Sequence, residues 1–242
     1  MTFFTGFGLG TLLLPAFAAF FPAEIAVALT AVVHLLNSLF KLTLVGRHAN
    51  LRIVLRFGLP AVLAAWAGAL VLVWLAGREP LFSYSLAGRD LRVEPVAFVV
   101  AALMLGFAAL ELSPRFRKLA IPARHLPLGG LLTGFFGGLS GHQGALRSAF
   151  LIRAGLSKEA FIGTGVVVAA LVDVTRLAVY SGRFFSTDLA REAPLLGAAV
   201  LSAFAGAFLG NRLLRKIDLR SIEVGVAVLL VLVALGLGSG LL

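Results

Sequence analysis

The sequence predicts an all-α integral membrane protein made of two inverted four-element repeats, each a glycine-broken or re-entrant helix followed by three transmembrane helices. Three observations predict it. Of 242 residues, 60% are hydrophobic and 13% charged, with a mean hydropathy of +1.02, whereas soluble domains are roughly half apolar and a quarter charged. Uncharged runs such as Phe57–Ala76, Ala193–Asn211 and Val224–Leu242 approach the ~20 residues a helix needs to cross the hydrocarbon core. Glycine-rich interruptions, "GFGLGTLLLP" (Gly6–Pro15) and "GLSGHQGALR" (Gly138–Arg147), stand at matching places in the two halves.

The first repeat covers 1–112, with elements near 1–21, 22–45, 52–77 and 94–112. The opening "MTFFTGFGLGTLLLPAF" has no basic n-region and no cleavage site before the next span, so it reads as mature protein. Its glycine knot holds Gly10 and Thr11. The second element is an alanine-rich helix with His34, Asn37 and Lys41 on one face, at i, i+3 and i+7. A basic connection follows, with Arg47, His48, Arg52 and Arg56, and leads into the uncharged third element. The next connection balances Arg78, Arg89 and Arg92 against Glu79, Asp90 and Glu94, and the fourth element ends at Glu111. A linker over 113–125 carries Arg115, Arg117, Lys118 and Arg124.

The second repeat covers 126–242, with elements near 126–154, 157–181, 191–214 and 221–241. The stretch "GGLLTGFFGGLSGHQGALRSAF" (Gly129–Phe150) is too rich in glycine for a plain membrane helix and too apolar for an ordinary loop. Glycine lets the backbone leave helical geometry, which a membrane tolerates only where the chain is buried in protein or lines a cavity. The sixth element carries Asp173 and Arg176, three residues apart. A balanced connection holds Arg183, Asp188, Arg191 and Glu192. A basic one, with Arg212, Arg215, Lys216 and Arg220 against Asp218, precedes the last helix.

The three basic connections should be cytoplasmic and the balanced ones external. Between the inside loops ending near Arg124 and starting at Arg212 lie three apolar segments, and three full crossings do not return to one side. Re-entry of 126–154 about "SGHQG" satisfies every loop; eight complete spans, the alternative, violate the rule only around 212–220. Aligning Gly10 with Gly144 and Pro60 with Pro194 sets a shift of 134, and Lys41 falls on Arg176 at 135. With the broken elements not crossing, each half has an odd number of crossings and the repeats are inverted, a construction common in secondary transporters. Such folds bind substrate near the midplane, at half-helix N-termini whose amides and dipole favour anions.

The paired "GFGLGTLLLPAF" and "GFFGGLSGHQGALRSAFL", each followed by an alanine-rich helix, resemble the TauE/SafE sulfite exporter family, also called TSUP transporters, over nearly the whole chain. The resemblance implies a multi-pass protein of a bacterial-type plasma (inner) membrane. It also implies a carrier, in the export direction, of a small anion such as sulfite, an organosulfonate or a related sulfur or carboxylate species. Thr11 stands where a third glycine is common, and Ala149 where the second motif usually has proline.

The candidate substrate-binding residues are then Gly10, Thr11, His34, Asn37, His142, Gln143, Gly144 and Arg147. Arg147, in the first turn after the knot, offers a guanidinium to sulfonate or carboxylate oxygens; the alternative is a side chain snorkelling to the headgroups. His142 and Gln143 either contact substrate or cap the carbonyls and amides of the broken helix. His142 is also the candidate for proton coupling. His34 and Asn37 line the cavity or bond between helices. Asp173 and Arg176 form a coupling site or an intrahelical ion pair.

Other classes find less support. The net charge of +10 sits in short loops, so it speaks for topology rather than nucleic acid. Without cysteine there is no disulfide or thiolate chemistry. No H-E-x-x-H, paired acidic motif or phosphate loop is present, and no metal, cofactor or catalytic residue is expected. "GLSG" (Gly138–Gly141) matches the serine motif of rhomboid proteases, but the only histidine after it is His142, two residues on. A passive anion channel is the serious alternative to a carrier. The expected partners are the anion, the bilayer and, compatibly with this plan, a second copy in a homodimer.

Overall fold

The computed structural model describes residues 9–117, 119–182 and 219–242, and the isolated positions 194, 197, 198 and 201. Four helices among these are long and apolar enough to cross a membrane: Ala23–His48, Leu51–Ala76, Pro95–Leu112 and Lys158–Ser181. The protein is therefore a helical, multi-pass membrane protein. Most of the expected 191–214 element, the loop at 212–218 and residues 1–8 lie outside the described residues.

Helix α1 (Leu9–Ala18) runs into α2 (Ala23–Val45), which starts behind Pro22, a residue with no amide to leave unpaired. A short α3 (Leu51–Ile53), a π turn at Val54–Gly58 and α4 (Leu59–Ala76) make one continuous rod. Helix α5 (Pro95–Leu112) begins with proline in its first turn, and a single turn, α6 (Pro114–Arg117), follows. Helix α7 (Leu126–Ser140) stops at Gly141, and α8 (Gly144–Leu151) begins three residues later. Ser157 caps α9 (Lys158–Ser181) by accepting from the Ala160 amide at 3.2 Å. Helix α10 (Leu219–Gly238) closes the described chain.

The connection at 78–94 is more than the polar loop its composition suggested. Strands β1 (Phe82–Leu86) and β2 (Arg89–Val93) pair antiparallel across a two-residue turn, Ala87–Gly88, with φ of 51° and 76°. Two successive positive φ values match the right-handed twist of a hairpin. The Tyr84 hydroxyl donates to the Ser239 carbonyl at 2.6 Å, pinning the hairpin over the end of α10.

Glycine sets the closest packing. A Cβ on Gly130, Gly134 or Gly138 of α7 would land on the carbonyl oxygens of Phe57, Ala61 and Ala65 respectively, and one on Gly68 of α4 would land on the carbonyl of Phe135. Contacting numbers rise together, so α4 and α7 run parallel with backbones touching, the small-xxx-small geometry of membrane helices. Helices α2 and α9 run antiparallel: His34 meets Asp173, and Gly163 packs on the backbone of Val45 and Ala49. Helix α8 brings the chain back to where α7 began, because the Ile121 amide donates to the Ala149 carbonyl at 3.1 Å and Phe150 fills the space over Gly129.

Leu63, Trp66, Leu70 and Trp74 are exposed along α4, as a lipid-facing stripe requires. At its end Arg78 lies 4.2 Å over the Trp74 ring, an aromatic–cation pair suited to the membrane interface.

Candidate functional site

The site is built at the break between α7 and α8. Gly141 ends α7 with φ of 83°, a left-handed conformation in which glycine carries no Cβ penalty. A Cβ there would also stand 2.9 Å from Arg176 Nη1. The break thus places His142 and Gln143, both buried, against the middle of α9.

Asp173 is the hub. Its Oδ2 lies 2.5 Å from His34 Nδ1 on α2. Its Oδ1 accepts from Arg176 Nε at 3.0 Å, from Arg176 Nη2 at 2.7 Å and from Gln143 Nε2 at 3.2 Å. Gln143 Oε1 in turn accepts from Arg147 Nη1 at 3.0 Å. Asp173 and Arg176 have 0% exposed side chains, while His34 retains 11%. Two guanidinium groups share this chain of contacts with one carboxylate, so with neutral histidines it carries a positive charge. A buried positive charge next to a helix N-terminus is a place for an anion.

His142 is held on two sides. Its ring stacks on Phe107 of α5, centroids 5.0 Å apart and planes 7° from parallel, and its Nδ1 lies 3.0 Å from Ser140 Oγ. Ser140 Oγ also donates to the Phe136 carbonyl at 3.1 Å. The Tyr180 hydroxyl donates to the Gly138 carbonyl, closing the end of α7 against α9.

Of the residues singled out from sequence, His34, His142, Gln143, Arg147, Asp173 and Arg176 come together here, with Gly144 opening α8. Asn37 is buried one turn from His34. Gly10 and Thr11 lie in the first turn of α1; their side chains and the preceding glycines are outside the described residues. Lys41 is half-buried further along α2.

Sequence reasoning missed Tyr180, Phe107 and the seam of Gly130, Gly134 and Gly138. Only the seam carried a signal, its spacing of four. Ser140 and His142 do approach one another, but the serine hydroxyl donates to a carbonyl and, among the described residues, His142 Nε2 has no partner that would orient the ring for a nucleophile. Among the described residues no group of three His, Asp or Glu side chains could hold a metal ion.

No curated protein and no solved structure matches the chain. The family model described as "Sulfite exporter TauE/SafE" matches residues 1–237. Four membrane-length helices, a charged cluster at a broken helix and a match over nearly the whole length agree: the chain belongs to the TauE/SafE sulfite exporter family of membrane transporters.

Proposed function

We propose that the protein is a secondary carrier that exports a small oxyanion across a bacterial-type plasma (inner) membrane. The substrate is sulfite, an organosulfonate or a related sulfur or carboxylate anion. It binds at the break between α7 and α8, among Arg147, Gln143, His142 and Arg176, with the N-terminus of α8 contributing its dipole. The observation that carries this reading is the pair of buried polar atoms left over at the break: His142 Nε2 and Arg176 Nη1 have no hydrogen-bond partner among the described residues. Leaving such atoms unpaired costs about 1–3 kcal/mol each; an anion's oxygen relieves that cost at Arg176 Nη1, and a ligand hydrogen-bonding to His142 Nε2 relieves it there.

The two units are 1–112 and 126–242, joined by a cytoplasmic linker at 113–125 and related by inversion. Supporting this, α2 and α9, which follow the glycine-broken element of each half and are counterparts at the shift of 135 that aligns Lys41 with Arg176, run antiparallel, with His34 against Asp173 and Val45 against Gly163. Equivalent helices that run antiparallel to one another are what a two-fold axis in the membrane plane produces. The return of α8 to the entry end of α7 supports re-entry over a full span.

The test is counterflow in proteoliposomes with sulfite, thiosulfate, taurine, sulfoacetate, lactate and acetate. A carrier gives saturable uptake, accelerated by the same anion trapped inside. Flux that rises linearly with concentration and shows no acceleration would assign a passive channel instead.

A further inference from the structure

The hydrogen bonds around His142 specify which of its nitrogens carries the proton. Ser140 has one hydroxyl hydrogen, and that hydrogen is given to the Phe136 carbonyl, which can only accept. With its hydrogen on that carbonyl, Ser140 offers His142 lone pairs, an arrangement that assigns the proton to Nδ1, donating across 3.0 Å. Nε2 is then a bare acceptor. It is buried in a residue only 4% exposed and has no partner among the described residues.

Arg176 presents the complementary group. Its Nε and Nη2 are spent on Asp173, leaving Nη1 as a donor with no partner among the described residues, on a side chain that is 0% exposed. That nitrogen lies beside Gly141, at 2.9 Å from where a Cβ would stand, so any other residue next to His142 would cover it. The break thus offers one charged donor and one neutral acceptor.

We propose that the site takes its oxyanion in the singly protonated form, the substrate's hydroxyl donating to His142 Nε2 while Arg176 Nη1 donates to one of its unprotonated oxygens. The inference rests on the anion-carrier reading above and narrows its substrate class. A dianion, or a sulfonate with no hydroxyl, would set lone pair against lone pair at Nε2, and a site built to pair with a hydroxyl rejects ligands that lack it. The proton then crosses on the substrate. The ionisable groups around His142 are Arg176 from α9, Asp173 from α9 and Arg147 from α8 through Gln143, and Tyr180 from α9 at the Gly138 carbonyl; α4, packed along α7, has no ionisable residue.

The experiment is counterflow of labelled sulfite with equal pH inside and outside, swept through the range where hydrogensulfite gives up its proton. Above that range the KM for total sulfite should rise about tenfold per pH unit. Selenite, which loses its last proton at higher pH, should show the same profile displaced upward by the difference between the two anions' own pKa values. Methanesulfonate, singly charged at every pH and without a hydroxyl, should compete about tenfold or more worse than hydrogensulfite. In His142→Gln, whose amide can turn a donor toward the ligand, that gap should narrow.

Coincident pH profiles for sulfite and selenite would place the titrating group on the protein and overturn the proposal. So would equal competition by methanesulfonate, or an unchanged gap in a folded His142→Gln protein. Absence of counterflow for every anion tested would instead refute the carrier reading, and this inference with it.

Discussion

Replacing Asp173 by asparagine tests the cluster most directly. The substitution keeps shape and one acceptor oxygen but removes the charge that Arg176, His34 and Gln143 share through contacts of 2.5–3.2 Å. Arg176 is left fully buried without its counter-ion. Breaking a buried pair on one side costs about 3–5 kcal/mol; the retained amide oxygen and the smaller couplings measured in membrane proteins argue for the lower end, about 3 kcal/mol. Removing both charges, in Asp173→Asn with Arg176→Gln, should recover most of that loss, because no uncompensated ion remains. The assay is unfolding of the purified protein in mixed micelles by a denaturing detergent, followed by circular dichroism, for wild type, both single variants and the double. A single Asp173→Asn variant within about 1 kcal/mol of wild type, where a broken buried pair should cost several, would refute the reasoning. So would a double variant whose loss equals the sum of the singles. The double variant should fold yet fail in counterflow, since it lacks the Arg176 donor.

Arg147→Gln should lower apparent anion affinity roughly 10- to 150-fold in counterflow, the loss of a charge-assisted contact of about 1.5–3 kcal/mol; unchanged affinity would make Arg147 a support for Gln143 only. Gly134→Val should cut the folded yield measured by size exclusion, at a cost of about 1–3 kcal/mol or more for overpacking, because its Cβ meets the Ala61 carbonyl. Gly106→Ala, with nothing within 4 Å of the added atom, should behave as wild type. Lys158→Cys, in a chain with no other cysteine, should react with an impermeant maleimide only from the cytoplasmic side; labelling from outside would remove the case for re-entry. Ser140→Ala should retain counterflow within about tenfold, the scale of one neutral hydrogen bond; a loss of several orders of magnitude would refute the reading of Ser140 as a mere support for His142.

The helices were legible because apolar runs and prolines mark their limits. The expected 22–45, 94–112 and 157–181 correspond to α2, α5 and α9 within a residue, and the broken element at 126–154 resolves into α7 and α8 about Gly141. The hairpin at 82–93 was hidden because its strands are short and their charged residues read equally well as an exposed loop. Individual site residues stood out as polar groups in apolar surroundings, and Asp173 with Arg176 was readable at a spacing of three. What spacing cannot supply is the partner from elsewhere in the chain. His34 reaches Asp173 from 139 residues away, and Phe107, an ordinary apolar residue in an apolar helix, carries no mark of the imidazole it covers.

The glycine seam of α4 and α7 has a consequence for how the protein moves. Where side chains interdigitate, helices can slip or roll by changing rotamers. Here main chain lies directly on main chain at Gly68, Gly130, Gly134 and Gly138, and there is nothing between them to rearrange. Sliding by one residue, about 1.5 Å, would take each glycine off the carbonyl it sits on, at all of these points together. The two helices therefore travel as a single plank, carrying the break and His142 with them. Any rearrangement that exposes the break to one side of the membrane and then the other must be taken up along a different boundary, and α2 against α9 is the one where the charged groups meet.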